Sequence, residues 1–112
     1  MNAPSHPGPK PAGDPVALRA AADRARAQAK ALRDCAKDVS RIVKGNWFEG
    51  PGRAGIDGEV RGAATSLSAA DSDLEAAAAA LDQKAEEIER AQASWLLADL
   101  AYRAWQALEQ LL

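Results

Sequence analysis

Few residues in this chain could do chemistry, and their spacing argues against catalysis. The one histidine, His6, stands among prolines with no second ligand beside it, so a solvated imidazole in a loose tail is expected. The one cysteine, Cys35, has no base or orienting group near it on a helical wheel, which leaves no nucleophile–base pair. It has no partner for an internal disulfide, and it reads as a small residue flanking a helix seam. Asp71, Asp73, Glu75, Glu86, Glu87 and Glu89 fall on solvent-facing positions of a helical pattern, where charge is the ordinary outcome. Gly50-Pro51-Gly52-Arg53-Ala54-Gly55 is glycine-rich, but it lacks the Lys-Ser/Thr of a phosphate loop and follows no strand. Metal-ligand spacings are missing as well. The expectation is a protein that is not an enzyme and holds neither cofactor nor metal.

What remains is recognition chemistry. Trp95 and Asp99 are four residues apart, with Tyr102 three further on. On a helix they project from one face, an apolar anchor beside a charge. Trp47 and Phe48 sit in the only strong breaker after residue 15, Gly45-Asn46-Trp47-Phe48-Glu49-Gly50-Pro51-Gly52. Turns are normally polar, so two aromatics there are expected to plug the end of a helical hairpin.

The elements that position these groups follow from periodicity. Residues 1–13, with prolines at 4, 7, 9 and 11, read as a disordered tail. Asp14-Pro15 is a capping acid followed by proline at the first helical position. From there Leu18, Ala22, Ala25, Ala29, Leu32, Ala36, Val39 and Val43 recur in steps of four and three. That is the seam of a helix packed against another, running from about 15 to 44. The turn is expected at 45–52 and a second helix over about 53–112, its first turns weakened by Gly55, Gly58 and Gly62. Val60, Leu67, Leu74, Leu81, Ile88, Trp95 and Tyr102 fall every seven residues. Ala63, Ala70, Ala77, Ala91, Ala98 and Trp105, three places on, are expected to complete the seam. The fold class is all-α: an antiparallel helical hairpin with a long second helix, pairing into a four-helix bundle.

Composition agrees with this. Hydrophobic residues make up 47% of 112, but aromatics only 4%, and an alanine-rich core favours closely packed helices. The formal charge of −2 conceals a division: residues 15–44 carry eight Lys or Arg against three Asp, and residues 53–112 five against eleven acids. A basic helix beside an acidic one is complementary within the chain, whereas a nucleic-acid binder would keep an uncompensated basic face. There is no apolar run of 18 residues, hence no stable membrane insertion. A first helix of about 30 residues would cover the second only to about residue 82. The stretch 94–112, with Leu97, Leu100, Trp105 and Leu108, would then be left bare, and soluble monomers seldom tolerate such a patch. Leu67, Leu74, Leu81, Ile88, Trp95, Leu97, Leu100, Trp105 and Leu108 are the expected partner interface.

A hairpin of about a hundred residues with tryptophan at the bend resembles the WXG superfamily, the early-secreted-antigen-like substrates of type VII secretion. The turn reads Trp47-Phe48-Glu49-Gly50, one residue longer than the family's Trp-x-Gly. The following Gly-Pro-Gly-Arg-Ala-Gly looks like the segment that opens the second helix in actinobacterial relatives. Tyr102 is followed four places on by Gln106 rather than an acid. A looser form of the family's C-terminal signal is met by Trp95, Asp99 and Tyr102. The resemblance covers about residues 14–106. It implies a non-enzymatic secreted substrate or targeting partner with an export signal at Trp47 and Gly50 and at Trp95, Asp99 and Tyr102. It also implies a homodimer or heterodimer with another helical hairpin, delivery to a secretion ATPase, and a cytoplasmic stage before release outside the cell. The alternatives are the N-terminal targeting domain of a larger secreted toxin, an amphipathic membrane-surface protein, and a cytoplasmic coiled-coil scaffold.

Overall fold

The computed structural model describes residues 3–44 and 52–112, and in it the chain is an all-α hairpin: α1 (Pro15–Lys44) and α2 (Arg53–Leu111) pack against each other. The bend with Trp47, Phe48 and Gly50 lies outside the described residues, as do the side chains of residues 42–44. Both helices begin within a residue or so of where the punctuation places them. At the start of α1 the Asp14 carboxylate accepts from the Ala17 amide at 3.1 Å, with Pro15 in the position where a missing N–H costs nothing. Gly52 caps α2 without a side-chain bond. At 59 residues α2 is about 88 Å long. The molecule is accordingly a rod, 94 × 17 × 16 Å, with a radius of gyration of 26.4 Å, about twice that of a globule of this length.

Three arginines fix how the helices lie. Arg19 donates from Nε and Nη2 to the two carboxylate oxygens of Glu89, each at 3.0 Å. Arg26 bonds Asp82. Arg33 bridges both Asp71 (3.0 Å) and Glu75 (3.1 Å). Arg19, Arg26 and Arg33 are spaced by seven, as are Glu89, Asp82 and Glu75, and the numbers in each of these pairs add to 108. The helices are therefore antiparallel in one constant register. Sliding α1 by one heptad toward the start of α2 would bring Arg33 to Ser68, and sliding it the other way would bring Arg19 to Leu96. Either shift loses a rung, so the ladder selects against slipped pairings.

Between the rungs the core is made of alanine. Ala22, Ala29, Ala78 and Ala85 are fully buried, and among the described residues no larger side chain is. Alanine at these facing positions of the two helices lets them lie close together. Leu18, Leu32, Val39, Leu67, Leu74, Leu81 and Ile88 are half-buried on the same seam.

Two expectations are corrected here. In the middle of α2 the second row stands four places after each leucine, not three: Ala78 and Ala85 are buried, whereas Ala63, Ala77, Ala91 and Ala98 are exposed and only Ala70 and Trp105 of the expected row are half-buried. A seven-residue repeat admits either spacing, and the choice depends on which way α1 sits across the leucine row. In addition, α1 reaches further than residue 82. Arg19, in the second turn of α1, pairs with Glu89, and Gly13 just before the helix lies against Ile88, so α1 covers α2 to about residue 88. Gly55, Gly58 and Gly62 have nothing within 4 Å of where a Cβ would stand, so among the described residues they admit no close neighbour.

Candidate interaction surface

Beyond about residue 88 α2 has no helical partner among the described residues, and its two sides differ. One side continues the seam and is covered by the segment before α1. The Trp95 indole donates to the Gly8 carbonyl at 2.9 Å, and the Gln92 amide donates to the carbonyls of Pro11 and Gly13 at 3.2 and 3.1 Å. The His6 ring meets Tyr102 edge-on, with centroids 4.9 Å apart and planes at 80°, while its Nδ1 accepts from the Gly8 amide at 3.0 Å.

Seven residues, from Gly13 level with Ile88 to His6 level with Tyr102, span fourteen residues of helix. That is a rise of about 3 Å per residue, an extended chain. The segment expected as a loose tail, and the histidine expected to be free in it, are instead laid along α2. Prolines supply carbonyls without competing N–H groups, and a helix that outruns its partner offers the side-chain donors and the apolar face to meet them. Gly13 is needed at the crossing: its φ is +130°, and a Cβ there would lie 2.7 Å from Ile88 Cδ1.

The structure brings Trp95, Asp99 and Tyr102 together on this covered side. Trp95 and Tyr102 are half-buried, and Asp99 is almost covered while pairing with Arg103 at 3.1 Å. Trp105, half-buried, donates to Glu109 at 2.8 Å. Leu67, Leu74, Leu81 and Ile88, expected in a partner interface, lie instead on the intrachain seam.

The opposite side of α2 is bare. Leu96, Leu97, Leu100, Leu108 and Leu111 are 49, 71, 62, 56 and 83% exposed. Of the expected interface, Leu97, Leu100 and Leu108 are thus free to meet a partner. No side chain on this outer strip is charged between Arg90 and its end; Arg103, on its flank, is held by Asp99.

Electrostatics elsewhere serves the hairpin. The hydrogen bond from Arg19 holds the Glu89 carboxyl below the usual glutamate range, and the same contact raises the Arg19 guanidinium. Arg26 is raised by its bond to Asp82. Among the described residues there is no cluster of three metal-ligating side chains, and no helix is long and apolar enough to cross a membrane. Cys35 is exposed rather than tucked beside the seam.

Two features escaped the sequence reading. The arginine ladder was legible as two sets of charges at seven-residue spacing. The docking of residues 6–13 had no sequence signal beyond a row of prolines. No family model, curated protein or solved structure matches the chain.

Proposed function

We propose that this chain is a non-enzymatic export substrate of the WXG-like, type VII secretion kind, or the targeting partner of one. The observation that carries the reading is the hairpin whose second helix outruns the first by more than twenty residues. That overhang leaves an apolar outer side bare, opposite the side that carries the Trp95–Asp99–Tyr102 row. A rod with such a strip is built to associate, and with residues 6–13 lifted off it the aromatic–carboxylate row offers a receptor shape and charge together. In this reading the protein pairs with another helical hairpin, its own or a different one, and is handed folded to a secretion ATPase. It is cytoplasmic before export and extracellular after it.

The test is export from an actinobacterial host carrying a type VII system. Trp47→Ala and Asp99→Asn are each expected to abolish appearance of the protein in the medium while the far-ultraviolet helical signal is retained. Unchanged export of both folded variants refutes the signal and favours a scaffold that stays inside the cell.

A further inference from the structure

The bare side of α2 carries a second seam, distinct from the one that faces α1. Ala93, Leu97, Leu100, Ala104, Ala107 and Leu111 recur in steps of four, three, four, three and four, the spacing of a helix packed against another helix. The order of large and small residues along it is informative. Turned end for end about the level of residue 102, every leucine meets an alanine: Leu97 against Ala107, Leu100 against Ala104, Leu111 against Ala93. A two-fold interface requires this, because one patch must be complementary to itself. A parallel arrangement would instead stack leucine on leucine and alanine on alanine, leaving gaps at the small layers.

Charge agrees with the pairing. Arg103 flanks the strip close to its own symmetry mate, but its guanidinium is drawn to Asp99 of the same helix at 3.1 Å. The strip is thereby left neutral, without like charges opposed at its centre. The flanks add Leu96 and Leu108, both about half exposed.

We propose that the outer strip of α2 between residues 93 and 111 is a homodimer interface in which a second copy packs antiparallel, leucine into alanine, with its axis level with residue 102. The proposal deepens the reading of α2's overhang as an association surface and is independent of export. The strip is about 27 Å long and one helix wide, at the small end of stable interfaces, which sets an expected dissociation constant in the micromolar range.

The test uses the full chain carrying Cys35→Ser, so that the exposed thiol cannot cross-link it. Sedimentation equilibrium is expected to show a monomer–dimer equilibrium. Leu100→Glu should raise the dissociation constant at least tenfold while the circular dichroism stays helical, because Leu100 is exposed in the hairpin. Spin labels at Ser94→Cys and Ala101→Cys then read direction. Antiparallel pairing offsets the two labels at 94 by about 24 Å along the axis and those at 101 by only about 3 Å, so the 94 pair is far and the 101 pair near. Equal short distances at both sites would mean a parallel pair and overturn the proposal, as would a dimer unaffected by Leu100→Glu. A monomer at 200 µM, a working limit about a hundredfold above a low-micromolar constant, also overturns it. Flotation of that monomer with phosphatidylglycerol vesicles would assign the strip to lipid. Export is scored separately, so a monomer that is still exported refutes the second copy without touching the secretion reading.

Discussion

Replacing Ala85 by leucine tests the core of the hairpin most directly. Ala85 is completely buried, as is Ala22 on the facing helix. The added atoms have no free space in a seam already closed at this position. They must force the rods apart locally or push the leucine off its rotamer, which typically costs ~1–3 kcal/mol. For a domain of this size each kilocalorie lowers the melting temperature by ~4–8 °C. The expected fall is about 5–20 °C in thermal unfolding followed by circular dichroism at 222 nm. Ala77→Leu is the paired control: Ala77 stands three places after Leu74, on the row the bare repeat suggests, but it is exposed. It should change stability by no more than ~0.5 kcal/mol. Equal losses in the two variants, or a larger loss at Ala77, would refute the placement of the alanine seam and with it the register.

Two further outcomes follow from the contacts. Gly13→Val sets a β-branched side chain at φ +130° and against Ile88, strain of ~1–3 kcal/mol. The helices should stay intact while residues 3–13 lift, seen as faster solvent exchange of the Trp95 indole N–H by NMR. Acid should weaken the ladder with a defined sign. Glu89 titrates lower in the hairpin than in the unfolded chain, so the unfolded chain takes up the proton first. The stabilisation is complete above the unfolded glutamate value and is lost as pH falls through the folded one, between about pH 5 and pH 3. Glu89→Gln should therefore be less stable than the parent at neutral pH and flatter across that window, as followed by urea unfolding at a series of pH values.

Residue type and spacing alone determined much of this protein. Asp14-Pro15 and the glycine–proline cluster at 50–52 dictate where the helices begin, because capping and the missing proline N–H act within a few residues. The seven-residue leucine row dictates that α2 packs along its length, and the opposite charges of the two halves dictate that they lie together. Tertiary structure decided the rest. Whether Ala77 or Ala78 enters the seam depends on the side from which α1 crosses the leucine row, and whether α1 covers α2 to residue 82 or 88 depends on the offset fixed by Arg19, Arg26 and Arg33. The role of residues 6–13 depends on the carbonyls of Gly8, Pro11 and Gly13 finding Trp95 and Gln92 some eighty positions away in sequence. No local pattern encodes such a meeting, because the extended segment has no periodicity of its own and takes its conformation from the helix it lies on.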